Sequence, residues 1–418
     1  MQVLRSVCPQ VGLIPYVYAS RAGSAFLDRT YAFSCRSGRL DELYPELSFS
    51  FPSGQPAVVT GAGCDVDSEV ALIKAVFETF ERYANTVYSP DSIIDASANE
   101  LGRSALDWKS IPTLYVRSDT AAPWRAARFD PATPIRWVKG LELTTNREVY
   151  VPFVMVYIFS PARASERFWL QTTTGVAAHV AHGQALAAAL LELIEREAVE
   201  ALWLTRAPLA EVSCEELGGA LDDFDEYDSS VLVTQRYFDA TTDFGIPVVC
   251  AHRALRLPIG DDDIFSCACD TATGAAARKA RLEASGQQWM RMNESQGGPY
   301  SRYPSNLAYQ VTDTMPGRPD MSFLGSRCRK GRPSRVDVSQ IASCVEARGH
   351  RPIVVDLTTD DLKAMGIVVL KAVVPTMLPT SLPNAKYLRH NRIQELASLY
   401  HGSDSPIGAL NLEPSPFC

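Results

Sequence analysis

The chain repeats itself. Laying Glu78 on Glu192 also lays Thr60-Gly61 on Thr174-Gly175, Ala71-Leu72 on Ala185-Leu186, and Glu81-Arg82 on Glu195-Arg196. Self-similarity at one offset marks a structural unit used twice. A solvated surface has no reason to keep Glu-x-x-Glu-Arg in both copies while the polar residues between them drift. The repeat therefore restricts the fold to architectures with two equivalent places for a strand, a glycine turn and a helix.

Both copies have helical periodicity. In the second, Leu190, Leu191, Ile194 and Ala198 fall on one face, with Glu192, Glu195 and Arg196 opposite. In the first, Ile73, Val76, Phe77, Phe80 and Ala84 form the apolar stripe, and Glu78, Glu81 and Arg82 face away, with Lys74 one turn earlier. Two readings are open. Either the charged faces meet water, with Glu78–Arg82 and Glu192–Arg196 as i, i+4 pairs worth roughly 0.2–0.5 kcal/mol, or they face each other. In the second case four carboxylates against two guanidiniums leave an excess of negative charge. Mg²⁺ relieves such an excess through carboxylate oxygens and substrate phosphates, while arginines meet phosphate oxygens bidentately. That combination makes a nucleoside-triphosphate site without a glycine loop. A third helix, Ala275–Met292, carries Glu283, Gln287 and Arg291 at i, i+4 and i+8 on one face. Arg278, Lys279 and Arg281 nearby read as its solvated residues.

A chain of 418 residues, 46% of them hydrophobic, has the means to bury a large core. Its net charge of −8 gives no broad basic surface for nucleic acid. The longest apolar run, near 149–159, is too short for a membrane span, and no signal peptide is read near Arg5, where Pro9 and Pro15 interrupt any apolar core. These features predict a cytoplasmic protein with its ten cysteines reduced. Cys267-x-Cys269 is the only close cysteine pair and lacks zinc spacing.

Along the chain, residues 1–60 read as short strands and turns, and an irregular stretch follows the first helix to about Ser118. Strands fill 136–173 and recur at 230–237, 246–253 and 264–270. The acidic run 222–226 reads as a solvated loop or helix end. Residues 296–335, poor in periodicity and rich in Gly, Pro, Ser and Arg, predict a long mobile loop. Its basic cluster, Arg327, Arg329, Lys330, Arg332 and Arg335, is not a P-loop. Residues 356–375 predict a short helix feeding a buried strand, 367–374.

These motifs resemble the YcaO family of ATP-using enzymes. Its two Glu-x-x-Glu-Arg helices correspond to Glu78/Glu81/Arg82 and Glu192/Glu195/Arg196, and its Gln-x-x-x-Arg helix to Gln287/Arg291. Gly12-Leu13-Ile14 fits the opening strand, and Gly61-Ala62-Gly63 the glycine turn before the first helix. Residues 149–152, 245–248 and 373–375 fit strand markers, and Pro414-Ser415-Pro416-Phe417 fits the proline-rich tail.

The resemblance implies an α/β (α+β) fold of mixed sheets flanked by helices, with the strand–turn–helix unit duplicated. It implies a catalytic domain over 1–404 and a tail, 405–418, reaching the active site. By the same resemblance, Glu78, Glu81, Glu192 and Glu195 hold Mg²⁺. Arg82, Arg196 and Arg291 touch the phosphates of ATP, and Glu283 and Gln287 complete the shell. Pro414, Pro416, Phe417 and Cys418 occupy the place of the catalytic tail. Gln184 stands where the family usually has a carboxylate, and His179 stands where microcin-type azole synthetases also carry histidine.

The implied activity is ATP-dependent cyclodehydration of a ribosomal precursor peptide, in which Cys, Ser or Thr becomes a thiazoline or oxazoline. Sister reactions giving a thioamide or an amidine, and a non-catalytic nucleotide-binding scaffold, are the alternatives. About sixty residues precede the first motif, so a separate leader-peptide-binding partner and a flavin-dependent azoline dehydrogenase are expected.

Overall fold

The computed structural model describes the chain except residues 1–5, 11, 22–29, 52–54, 117–125, 225–227, 229–230, 258–259, 296–319, 326–334, 383–384, 403–407, 414 and 418. Strands β1 (Tyr16–Arg21), β2 (Tyr31–Arg36) and β3 (Thr60–Asp65) form an antiparallel sheet in that order. Helix α1 (Ser68–Ala84) starts at Asp67, whose side chain accepts from the Glu69 and Val70 N–H groups and so satisfies two donors that the first turn leaves open. It lies unusually close to β3. A Cβ on Gly61 would come within 2.4 Å of the Ala75 oxygen, and one on Gly63 within 2.1 Å of the Ala71 oxygen.

The central sheet gathers β4 (Ile93–Ala96), β5 (Ile135–Glu142), β6 (Arg147–Pro152) and β7 (Val176–His179) from the middle of the chain. Helix α2 (His182–Thr205) follows. A second sheet comes next, from β8 (Ala210–Val212), β9 (Val233–Asp239), β10 (Val248–Leu257) and β11 (Gly260–Cys269), and then helix α3 (Thr273–Ser295). Strands β12 (Ile353–Asp356) and β13 (Val368–Val373) return to the central sheet, and α4 (Asn391–His401) closes the fold. The central order is β4-β5-β12-β13-β7, with β6 also on β5; the second sheet runs β11-β10-β9-β8, every pair antiparallel.

Period-two alternation sends opposite faces of β11 to different helices. Phe265, Cys267 and Cys269 join Leu190, Ile194, Ala198 and Leu202 of α2 in one core. Ala268 packs instead with Ala276, Ala277 and Ala280 of α3. Small alanines there let α3 seat on the sheet, so β11 is held between the two later charged helices. A further core joins Val76 and Phe80 of α1 to Trp137, Val151 and Val369 of the central sheet.

Several expectations need correction. Gly61-Ala62-Gly63 lies in a strand, not a turn; its glycines serve close helix approach. Gly12 and Leu13 lie outside any strand, and Ile14 forms only an isolated bridge with Val7. Strand structure ends at Pro152, and beyond it Phe153–Met155 is a tight helical turn and 156–173 carries no strand, although its apolar side chains are largely buried. Ile73 is 47% exposed and does not belong to the buried stripe. The acidic run is partly a 3₁₀ turn anchored by Phe224, which is fully buried. Arg281, expected in solvent, is also fully buried, where it pairs with Asp228 at 2.6 Å. Most of the 296–335 segment lies outside the described residues, and Arg335 bridges Ala272.

Candidate functional site

The duplicated helices point their charges at one another, and the glutamates are fixed by backbone N–H groups. The first glutamate of each motif bonds the strand of its own unit: Glu78 accepts from Ala62 N–H in β3 at 2.5 Å, and Glu192 from Gly175 N–H, just before β7, at 3.0 Å. The second reaches forward to the next unit. Glu81 on α1 accepts from Ala178 N–H in β7 at 2.9 Å, and Glu195 on α2 from Cys269 N–H in β11 at 3.0 Å. The four carboxylates thus tie three successive strand–helix units together. Each such bond to a charged acceptor contributes about 1.5–3 kcal/mol, which explains why the motif survives in both copies.

The cations interleave with them. Arg82 pairs with Glu78 at 2.6 Å. Arg196 lies 3.9 Å from Glu192 and 3.7 Å from Glu195, and Lys279 reaches Glu195 at 3.2 Å. Lys371 in β13 donates to the Thr172 and Thr174 carbonyls at 2.9 and 2.7 Å, beside the segment that feeds Gly175 to Glu192.

Burial and the neighbouring charges shift the groups that gather around β7. Burial, and then the charges of Glu192 and Glu78, hold the Glu81 carboxyl well above its ordinary range, against the Ala178 N–H bond. Burial raises Glu192, opposed by Arg196 and aided by Glu195. Glu283 is pushed up to about 8 by burial and then by Glu195, with Lys279 and Arg196 opposing. Burial brings Lys371 down to about 7, against the pull of Glu192. Burial also works against Arg196, but Glu195, Glu192 and Glu283 outweigh it and keep the guanidinium charged. The cluster is short of positive charge.

Among the described residues no three His, Cys, Asp or Glu side chains converge closely enough to hold a metal ion unaided. Mg²⁺ in nucleotide sites commonly takes one or two carboxylates together with phosphates and waters, and the donor set fits that use. Gln287 fits as well. Its Nε2 donates to the Phe265 carbonyl at 3.1 Å, while its buried Oε1 has no partner among the described residues. The arrangement suits a cation-bridged polyphosphate held between acidic helices and flanked by arginines.

The other expected positions divide. Glu283 joins the cluster. Arg291 lies on α3, its side chain outside the described residues. Gln184 is exposed in the first turn of α2, about 12 Å along the axis from Glu192. His179 accepts from Ala181 N–H through Nδ1 at 3.0 Å, closing the β7–α2 turn. The tail is pinned to the end of α2: Asn411 N–H donates to the Leu204 carbonyl and Trp203 Nε1 to that of Glu413, each at 2.8 Å. Pro416 is buried and the Phe417 ring sits 6.1 Å from that of Phe265; Pro414 and Cys418 lie outside the described residues.

Lys279, expected on a solvated face, joins the cluster through Glu195, and Lys371 was not anticipated from the sequence. Lys279 extends the Glu283, Gln287, Arg291 series back by one turn, a signal the i, i+4 rule offers. Lys371 is the single charge in the apolar run Val368–Val373, an unusual placement that calls for a partner.

Comparison with known proteins gives the class first. Over its whole length the chain superposes on a heterocyclase in complex with substrate and cofactor, with TM-score 0.74 at 17% identity, covering 100% of this chain and 57% of that one. The E. coli microcin synthetase McbBCD complex with pro-MccB17 bound gives 0.63 at 14% identity and covers 99% of each chain. The YcaO protein of Methanopyrus kandleri bound with AMPPCP and Mg²⁺ gives 0.56 at 18% identity, covering 87% of this chain and 86% of that one. At these identities the likeness shows the fold.

Sequence then gives the family. Residues 62–378 match the model described as YcaO cyclodehydratase, ATP- and Mg²⁺-binding, and the chain belongs to the YcaO family. An uncharacterised protein of Methanothermobacter thermautotrophicus is 28% identical over 214 residues, 50% of this chain and 51% of that protein. The chain thus spans about half the length of that curated relative.

Proposed function

We propose that the protein is an ATP-dependent cyclodehydratase acting on backbone amides of a ribosomally made precursor peptide. The observation that carries the reading is the convergence of the two Glu-x-x-Glu-Arg motifs on β7 and its approach, where Glu81 accepts from Ala178 N–H and Glu192 from Gly175 N–H, with the Glu192 charge adding to the rise of the Glu81 carboxyl. Glu78, Glu81, Glu192 and Glu195 would hold Mg²⁺, with Arg82, Arg196 and Arg291 at the phosphates and Glu283 and Gln287 alongside. Bound Mg²⁺ supplies neutralisation of phosphate charge. The protein's own share is to hold the arginines against the carboxylates, so that charge developing on a transferring phosphoryl group meets donors already in place.

In the proposed reaction a Cys, Ser or Thr side chain attacks the preceding carbonyl carbon, and the resulting oxyanion takes the γ-phosphoryl group of ATP. Departure of phosphate from that carbon and of the proton from the amide nitrogen forms the C=N bond and leaves the azoline ring. Residues 405–418 form the tail of this site, supported by the packing of Phe417 on Phe265, whose carbonyl Gln287 holds. That placement favours ring formation over the thioamide and amidine chemistries. A leader-binding partner and a flavin-dependent dehydrogenase complete the proposed machinery, in line with a fold shared along nearly the full chain with a component of a synthetase complex. The cytoplasm belongs to the same proposal. Among the described residues no helix is long and apolar enough to cross a membrane.

Mass spectrometry of the precursor after incubation with the complex, ATP and Mg²⁺ tests the reading. Loss of one water per modified residue is expected. Glu192→Gln should slow that loss at least tenfold, whereas a scaffold would support modification at the normal rate. A net gain corresponding to exchange of an amide oxygen for sulfur would identify the thioamide reaction.

A further inference from the structure

A second polar pair lies one wall away from the nucleotide cluster. His252 in β10 and Asp263 in β11 meet at 2.7 Å between Nε2 and Oδ1. The imidazole stacks face to face on Phe265, its direct cross-strand partner, with centroids 4.4 Å apart and planes 7° off parallel. This arrangement holds the ring from two sides, with Asp263 fixing one nitrogen and Phe265 fixing the plane. With Asp263 accepting from Nε2–H, Nδ1 is left as the acceptor.

The pair borders a cavity. His252, Asp263, Phe265, Arg236, Phe238 and Leu324 are among the residues lining a space of about 180 Å³, several times the ~30 Å³ share of a water molecule. The His252 side chain keeps 18% of its surface accessible. Arg236 is already committed, bidentate to Glu211 at 3.0 and 2.8 Å, so it offers little attraction for an anion. A cavity with mainly apolar walls and an imidazole oriented by its Asp263 partner suits a small neutral side chain that has a proton to lose.

Two contacts connect this space to the site described above. Phe265 forms its wall and gives its carbonyl to Gln287 on α3, one turn beyond Glu283. The same Phe265 ring carries Phe417 of the tail. The cavity therefore shares Phe265 with Gln287 and with the C-terminal segment, and lies along the strand whose Cys269 N–H holds Glu195.

We propose that this cavity receives the thiol or hydroxyl side chain of the residue to be cyclised, and that His252, oriented by Asp263, takes its proton. The assignment rests on the cyclodehydratase reading. The S–H or O–H bond breaks, the proton goes to Nδ1, and the sulfur or oxygen forms a bond to the carbonyl carbon. The carbonyl π pair moves onto its oxygen, which becomes the acceptor for the γ-phosphoryl group as the bond to the ADP leaving group breaks. A neutral imidazole is required at the start. Burial holds His252 below its ordinary value, Asp263 opposes this, and Arg236 in β9 and Arg256 in β10 add to it; Glu211 in β8 neutralises Arg236.

The test pairs two forms of the precursor, with Cys or Ser at the first modified position, and follows water loss by mass spectrometry from pH 6 to 9.5 in the complete complex. Removing a general base costs roughly 10²–10⁴-fold, but a thiol ionises unaided near its own pKa of about 8.5, which a hydroxyl cannot do. His252→Gln should therefore lose the Ser reaction by at least a hundredfold. It should lose the Cys reaction less, with recovery as pH rises past the thiol's ionisation. Asp263→Asn, which keeps the imidazole, should show the same split at smaller amplitude. Equal losses for both peptides with no recovery at high pH would mark a structural pair and overturn the assignment, as would wild-type rates in both variants. A wild-type complex that removes no water from either peptide overturns the cyclodehydratase reading and this assignment with it. A wild type that cyclises both while the variants match it overturns the assignment alone.

Discussion

Replacing Gly63 by alanine tests how the first charged helix is positioned. The added Cβ would stand 2.1 Å from the Ala71 oxygen and 2.6 Å from the Ala75 nitrogen, both backbone atoms of α1 with no side-chain torsion to absorb the clash. Restoring ordinary contact requires α1 to retreat by roughly 1 Å. Glu78 and Glu81 hold their N–H partners at 2.5 and 2.9 Å, so a retreat of that size takes both bonds to the limit of useful hydrogen bonding. Overpacking of this kind costs about 1–3 kcal/mol, and weakening two charge-assisted bonds adds about 1–3 kcal/mol more. The expected total is roughly 2–6 kcal/mol. It is read as a lower urea midpoint at unchanged m-value, with nucleotide binding weakened in parallel. Gly183→Ala is the control. Nothing lies within 4 Å of the added Cβ, in the first turn of α2, so this change should be neutral or stabilise by up to ~1 kcal/mol. A Gly63→Ala protein as stable as wild type, binding nucleotide equally, would refute the close-approach argument.

Other consequences follow from buried charge. Arg392 is 4% exposed and joins Glu197 and Asp243 at 2.7 and 2.6 Å. Arg392→Met should therefore cost about 3–5 kcal/mol by leaving Glu197 charged and unpaired, with part recovered in the double variant Arg392→Met/Glu197→Gln by chemical denaturation. His350, 6% exposed, is brought down to about 4 by burial and then by Arg392. The unfolded chain then binds the extra proton first. The contribution is fully present above an ordinary histidine pKa of about 6.5 and is lost as pH falls toward 4, a span worth roughly 3 kcal/mol. Denaturation midpoints should therefore fall as pH is lowered from 7 to 4, and His350→Gln should flatten that dependence.

What the sequence made legible was the repeat, because one offset superposes glycines, apolar positions and charges together. Spacing singled out the six charged residues from Glu78 to Arg196 but left a solvated face and an inward-facing one both open, and it placed the strands and helix between 230 and 295 near their observed positions while missing Ile341–Glu346, Ile353–Asp356 and Asn391–His401. The glycines of β3 misled, since Gly-x-Gly signals a turn locally and only the partner helix shows why side chains are excluded there. Apolar content in 153–173 imitated a strand because burial, rather than ladder pairing, selected those residues. Ile73 matched the stripe by periodicity but lies beyond the reach of the central sheet. The carboxylates' backbone partners, Ala178 and Cys269, were out of reach: main-chain N–H groups leave no mark on composition. His252 and Asp263 are eleven residues apart on adjacent strands, a pairing that depends on hairpin register and that no local pattern displays.

The central claim is that two acidic helices share one magnesium nucleotide, and calorimetric titration of AMPPCP with and without Mg²⁺ measures it directly. Wild-type protein should bind the nucleotide only with Mg²⁺ present, and Glu81→Gln/Glu192→Gln, which removes one ligand from each helix, should weaken that binding at least tenfold while leaving the fold intact by circular dichroism. Binding that is indifferent to Mg²⁺ and unchanged in the double variant would contradict the account.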